Sequence, residues 1–120
     1  MPLIKIITNV PKNKIPADFL EKLIAVLSSS IGKPADRCCG AISSDASVCF
    51  GGDSKTAGAV ATIVSIGHLG QKENVTISKN IANFVEQQIG VPPKRFFISF
   101  HDQEPWNVGI GGTTAHARDA

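Results

Sequence analysis

Pro2 stands directly behind Met1 and directly before an apolar run, Leu3-Ile4-Lys5-Ile6-Ile7. Aminopeptidases remove Met before small residues, so the mature chain is expected to begin on a secondary amine. An ordinary α-amino group titrates near ~8, and an apolar pocket or a neighbouring cation lowers that value. Such a nitrogen is a general base at neutral pH that needs no histidine, metal or cofactor. A strand starting at Leu3 would hold it rigidly. Prolines also lead strands for purely conformational reasons, so Pro2 on its own does not decide between the two readings.

Lys33 is the second residue of chemical interest. It falls just past a helical segment, where a cation can bind a substrate carboxylate, but it also suits the negative end of a helix dipole. Ser65-Ile66-Gly67 can offer a backbone N–H to a ligand, or simply turn the chain. Gly109-Ile110-Gly111-Gly112 is not the G-x-G-x-x-G that opens a phosphate-binding helix, and is read as turn and strand edge. His68, His101 and His116 have neither ligand spacing nor a Glu partner at helical distance, so they are read as surface or edge residues. Cys38, Cys39 and Cys49 make an odd count, which fits a reducing compartment better than a disulfide scaffold. Their Cys-Cys-x9-Cys spacing matches no zinc pattern, and no metal is expected. Asn74-Val75-Thr76 is a glycosylation sequon that a chain lacking a secretory signal would not present to the modifying enzyme.

The elements that must position these residues occur twice. Ile31-Gly32-Lys33-Pro34-Ala35-Asp36-Arg37 reads I-G-x-P-x-x-R, and Ile89-Gly90-Val91-Pro92-Pro93-Lys94-Arg95 repeats it 58 positions on. Upstream, Phe19, Leu23, Leu27 and Ile31 fall on Ile77, Ile81, Val85 and Ile89, each set stepping by four along one helix face. The same offset lays Leu3–Thr8 on Ala61–Ile66, both read as buried strands. Each half is then strand, helix, strand. The spacing predicts helices over about 18–31, with Asp18 and Glu21 as a capping arrangement, and over about 76–89. Each helix ends on a glycine in the left-handed cap position, with a proline behind it. The following strands are expected to start near Arg37 and Arg95, and Phe96–Phe100 is the strongest strand signal. Phe50–Ser54 reads as a turn, Trp106–Thr114 as a short strand broken by glycines, and Ala115–Ala120 as a loose tail.

The expected fold class is α+β: two βαβ repeats, about 1–45 and 59–101, form a four-stranded sheet with both helices on one face. With the C-terminal strand and tail, 106–120, they make one domain of 120 residues. Two helices leave the other sheet face bare, with Phe100 and Val60 expected on it, and identical copies are the simplest cover. A hydrophobic fraction of 42% and a charged fraction of 18% describe a globular chain rather than a disordered one. A net charge of +2 gives no electrostatic reason to expect nucleic acid, and no apolar run approaches the about 18 residues of a membrane span.

Taken together, Met1-Pro2-Leu3-Ile4, Thr8-Asn9-Val10-Pro11, Gly32-Lys33-Pro34-Ala35-Asp36-Arg37, Phe50-Gly51-Gly52, Ser65-Ile66-Gly67 and Asn107-Val108-Gly109 resemble the macrophage migration inhibitory factor and D-dopachrome tautomerase family over nearly the whole chain. That resemblance implies the two-βαβ unit closed into a homotrimer, with pockets between subunits. It implies Pro2 as catalytic base, Lys33, Ile66 and Ser99 as substrate-binding residues, Lys33 also in a catalytic role, and Phe97, Val108 and Ile110 as pocket wall. The implied reaction, without cofactor, is keto–enol tautomerisation of a small aromatic α-keto acid, or rearrangement of dopachrome with decarboxylation as a variant outcome. The alternative it carries is a cytokine that leaves the cytoplasm without a signal peptide and binds a cell-surface receptor, with weak catalysis or none. The chain departs from the inhibitory-factor branch: Phe97 stands where that branch has tyrosine, Ser99 where it has asparagine and Ile110 where it has tryptophan. Its Cys-x-x-Cys pair is also absent, near Thr56-Ala57-Gly58-Ala59.

Overall fold

Alternation decides where the first strand points. In β1, Leu3–Thr8, residues Ile4, Ile6 and Thr8 are fully buried while Leu3, Lys5 and Ile7 face outward. The strand is therefore half-buried, not buried on both faces as its composition suggested, because a strand shows every second residue to each side. A computed structural model describes residues 1–119. Its core elements are β1, α1 (Phe19–Ile31), β2 (Cys39–Ser43), β3 (Ala59–Ser65), α2 (Gln71–Ile89) and β4 (Phe96–Asp102). The sheet order is β2-β1-β3-β4. Strands β1 and β2 run parallel, as do β3 and β4, and the central pair β1–β3 is antiparallel, with Ile4 opposite Ile63 and Ile6 opposite Ala61. This is the expected α+β architecture, with two βαβ units back to back.

All eight residues of the two helical stripes are buried. They pack the helices onto one sheet face around Ile4, Ile6, Ala61 and Ile63, and Phe19 meets Phe84 at 5.4 Å between ring centroids. The 58-residue offset thus holds for the helices. It fails for the strands: the inward set is Ile4, Ile6 and Thr8 in one repeat and Ala59, Ala61, Ile63 and Ser65 in the other, which differ by an odd number. A one-residue difference between the two strand–helix connections reverses the face of every side chain, so β3 begins at Ala59 rather than Ala61.

Helix boundaries also moved where no apolar residue marked them. Helix α2 starts at Gln71 rather than near Thr76, through a polar first turn in which Asn74 Oδ1 accepts the Gly70 N–H at 3.2 Å. The Asp18 side chain caps nothing, and pairs instead with Lys22 at 3.2 Å on the surface. Gly32 and Gly90 both adopt the left-handed cap (φ 76° and 74°), as the paired I-G-x-P pattern predicts. A 3-10 turn over 35–37 and another over 93–95 delay β2 and β4 by a residue or two.

The tail is more ordered than its composition suggested. Gly109–Ile110 and Thr113–Thr114 form a small hairpin, β5–β6, turned through Gly111 and Gly112 at φ 65° and 82°. Residues Ala115–Arg118 make a helical turn, α3, whose Ala117 N–H is capped by Thr114 Oγ1 at 3.1 Å. Ala120 lies outside the described residues. Among the described residues no helix is long and apolar enough to cross a membrane.

The sheet face away from the helices is open in the single chain. Register places Cys39, Leu3, Val64 and His101 in one row across it, Ala41, Lys5, Thr62 and Ser99 in the next, and Ser43, Ile7, Val60 and Phe97 in the third. Phe97 is 60% exposed there. Phe100, expected on this face, points the other way and packs against the core, because its parity in β4 is opposite to that of Phe97.

The two matching arginines do different work. Arg95 reaches into the loop before β3, donating to Ala57 O at 2.9 Å, Thr56 O at 2.8 Å and Asp53 O at 3.1 Å, and lies over the Phe50 ring. Phe50 and Asp53 close the expected turn with paired backbone bonds of 3.0 and 2.9 Å. Hydrogen bonds from the Thr56 side chain and from the Lys55 and Thr56 N–H groups pull the Asp53 carboxyl down to about 2, with Arg95 adding to the effect. The Arg37 backbone N–H donates to Pro34 O at 3.0 Å, but its guanidinium has no hydrogen-bond or ion-pair partner among the described residues. Arg95→Ala strands several loop carbonyls and is expected to cost about 2 kcal/mol in denaturant unfolding. Arg37→Ala is expected to stay within about 0.5 kcal/mol.

Candidate functional site

Pro2 is fully buried at the head of β1, where its carbonyl accepts the Cys39 N–H at 2.9 Å and so ties the chain start to β2. Beside it opens a cavity of about 360 Å³ lined by Met1, Pro2, Leu3, Cys39, Val64, Gln103, Asn107, Val108, Gly109 and Ile110. The C-terminal segment supplies one wall. It is held there by Gln103 N–H on Ser65 O at 2.9 Å and Ala115 N–H on Val108 O at 2.9 Å. Within the same segment the Trp106 and His116 rings meet nearly perpendicular, 5.9 Å between centroids.

Lys33 approaches from the end of α1. Its Nζ donates to Ile66 O at 2.6 Å, and its own carbonyl accepts from Ser28 Oγ at 2.5 Å. Burial lowers the Lys33 pKa from its ordinary 10.5, and the Arg37 guanidinium adds to that, while Cys38 and Asp102 act against it. The terminal amine of Met1 is likewise lowered from 8.0, first by burial and then by Lys33, with Arg118 and Arg37 contributing and Cys38 opposing. An amine at this end of the chain therefore sits in partly desolvated, net positively charged surroundings that favour its neutral form.

The residues expected in one site are not all together. Pro2, Val108 and Ile110 share the cavity. Lys33 and Ile66 are bonded to one another at its flank, close enough for the Lys33 charge to act on the terminal amine. Ser99 and Phe97 lie on the open face of β4, outside the lining. The Gly67 N–H, a candidate ligand donor, is occupied by Asp102 Oδ1 at 2.9 Å. The histidines are engaged locally: His68 Nδ1 lies 2.9 Å from Ile31 O, and His101 Nε2 lies 2.8 Å from Ser99 Oγ. No group of three metal-ligating side chains occurs among the described residues.

Sequence reasoning passed over Gln103, Asn107 and Cys39 as cavity residues. Asn107 adjoins Val108 in a block already singled out. Gln103 and Cys39 carried no local signal, since only the sheet and the folded-back C-terminus bring them to Pro2. Cys38, on the other side of β2, is half-buried with its Sγ 3.4 Å from Pro34 O, and burial pushes its thiol pKa up, the opposite of an activated cysteine.

Comparisons with known proteins agree with this architecture. A family model described as macrophage migration inhibitory factor matches residues 1–116. The macrophage migration inhibitory factor of Xenopus tropicalis is 36% identical over 114 residues, covering 95% of this chain and 98% of that protein. D-dopachrome decarboxylase-B of Xenopus laevis is 32% identical over 114 residues, covering 94% and 96%. The solved structure of the macrophage migration inhibitory factor from Trichinella spiralis superposes with a TM-score of 0.89 at 28% identity, over 93% of this chain and 98% of that one.

The electrostatics yield a titration test. In protein that retains Met1, the terminal amine is expected to titrate below 8.0, and Lys33→Gln to move it part of the way back up. Lys5→Gln, on the open face, is expected to leave it unchanged. The pH dependence of amine acylation measures both. Because the folded amine holds fewer protons than the unfolded one between its lowered pKa and 8.0, its contribution to stability rises with pH across that window.

Proposed function

The chain belongs to the macrophage migration inhibitory factor family, and on that premise we propose that it is a cofactor-free keto–enol tautomerase of small aromatic α-keto acids, with the Pro2 nitrogen as base. The observation that carries the reading is the fully buried Pro2 at the foot of a largely apolar cavity, with the Lys33 ammonium held behind it. Once Met1 is removed, the Pro2 nitrogen inherits the desolvation and the neighbouring positive charges that lower the Met1 amine. A neutral secondary amine then accepts the proton α to the keto group. The electron pair of that C–H bond moves to form the enolate, whose oxygen is protonated by the prolinium ion to give the enol. Nothing else is consumed.

Lys33 is placed to serve the developing charge. Its ammonium donates to Ile66 O at rest, and a carboxylate or enolate oxygen offers it a stronger acceptor than a neutral carbonyl. Leu3, Val64, Val108 and Ile110 receive the aromatic ring and keep the amine dry. The amides of Gln103 and Asn107 lie in the same wall. With no tyrosine in the chain, no phenolic hydroxyl shares in this recognition.

Phe97 and Ser99 enter this scheme through assembly. Both lie on the open sheet face, away from their own chain's cavity. Closure into a homotrimer through that face would bring β4 of one copy against the cavity of the next. Assembly and turnover should then be lost together. A family-type signalling role as an extracellular receptor ligand is compatible with the same surface.

Tautomerisation of 4-hydroxyphenylpyruvate by tagless protein lacking Met1 is the direct test. Adding one alanine before Pro2 converts the amine into an amide and is expected to lower kcat/KM by about 100-fold or more while leaving the fold intact. Equal rates for the two forms would remove Pro2 from the mechanism. Lys33→Ala is expected to lower kcat/KM by about 10- to 100-fold, the loss of one charge-assisted contact.

A further inference from the structure

Exchanging the two repeats about the central β1–β3 pair carries the surroundings of Pro2 onto a second place in the molecule. The first is where the start of β1, the segment after β3 and the C-terminal end of α1 meet, and it holds Pro2, Ile66 and Lys33. The second is where the start of β3, the segment after β1 and the C-terminal end of α2 meet. There the structure has a separate cavity of about 350 Å³, lined by Asn9, Val10, Pro11, Lys14, Lys55, Ala57, Ile89 and Gly90. Both places inherit the same cap geometry, through Gly32 and Gly90.

The chemistry of the second cavity differs from that of the first. The chain is continuous there instead of beginning, so no terminal amine is available. Val91, fully buried, occupies the repeat position that Lys33 holds in the first half. Asn9 and Thr8 are already matched: Asn9 Oδ1 accepts the Gly58 N–H at 2.9 Å, Asn9 Nδ2 donates to Thr56 O at 3.0 Å, and Thr8 Oγ1 donates to Gly58 O at 2.8 Å. The Gly90 N–H is taken by Glu86 O at 2.9 Å. What remains are the ammonium groups of Lys14 and Lys55, neither with a hydrogen-bond or ion-pair partner among the described residues, above a small apolar floor made by half-buried Ala57 and the edges of the buried Val10 and Ile89.

We propose that this cavity is a second, non-catalytic binding site for a small organic carboxylate, which Lys14 and Lys55 grip by its oxygens while its apolar body rests on Val10, Ala57 and Ile89. The negative end of the α2 dipole faces the same place, so the two lysines are what make an anion acceptable there. The Gly58, Gly90 and Lys14 N–H groups at this cavity are already bonded and cannot cradle a phosphate, which favours a carboxylate attached to an apolar body over a fully hydrated anion. Binding here is independent of the tautomerase reading, since none of these residues touches the Pro2 cavity.

Titration of 15N-labelled protein with sodium benzoate, followed by amide chemical shifts, tests the site residue by residue. Saturable shifts are expected at Asn9, Lys14, Lys55 and Gly90. Benzyl alcohol, the neutral analogue, is expected to produce none. Lys14→Gln with Lys55→Gln should weaken the apparent Kd read at Asn9 and Gly90 by about tenfold or more, and leave shifts at Leu3, Val64 and Ile110 to titrate as in the parent. Both substitutions replace exposed side chains, and an otherwise unchanged spectrum checks the fold. Absence of saturation at Asn9 and Gly90, an unchanged Kd in the double variant, or equal displacement by inorganic phosphate would each overturn the proposal.

Discussion

The structure depends on β1 lying inside the sheet rather than at its edge. Paired with β2 on one side and β3 on the other, it cannot shift without breaking two ladders, and its first residue is therefore held as firmly as its middle. The Cys39 N–H on Pro2 O extends that ladder to the residue whose nitrogen is proposed to do the chemistry. Chain termini are ordinarily the loosest part of a domain. Here Pro2 is fully buried against a cavity, and the partial burial of Met1 lowers the basicity of its amine.

The same repeat serves two ends. Both halves use a four-step apolar stripe, a left-handed glycine and a proline to pack a helix and return to the sheet. Within that common frame individual positions have separated. Arg95 is committed to the loop before β3, whereas Arg37 is left free near the terminal amine. Val91 fills the core, whereas Lys33 carries a partly buried charge onto a carbonyl. A buried ammonium is costly unless it is hydrogen-bonded, and Ile66 O supplies that bond. Retaining lysine where valine packs without charge is understandable if the charge has a use.

The open face sets a second constraint. Its middle row, with Lys5, Thr62 and Ser99, is polar, while Leu3, Val64, Ile7, Val60 and Phe97 flank it with apolar surface. A mixed face of this kind suits a cover that meets specific groups rather than a featureless apolar one. It also separates Phe97 and Ser99 from Pro2 within one chain, and the proposed homotrimer is the arrangement that would bring them into one site.

Local pattern carried much of this protein. The helical stripes, the paired glycine caps, Pro2 at a strand head and the block Asn107-Val108-Gly109 were all legible, because each reflects a short-range rule of periodicity, φ preference or adjacency. Local pattern failed where the deciding term was long-range. The strand register of the second repeat needed the length of a connection, which flips all side chains at once. The start of α2 lay in a polar turn that no stripe marks. The orientation of Phe100 followed from that same parity. Gln103 and Cys39 reached the cavity only because β2 pairs with β1 and the C-terminus folds back across the sheet. Sequence by itself determined the two apolar helices, the main strands and the glycines that cap the helices, since those depend on neighbours a few residues away. Only the tertiary structure decided which face each strand shows and which side chains meet at Pro2, since those depend on hydrogen-bond ladders between residues far apart in the chain.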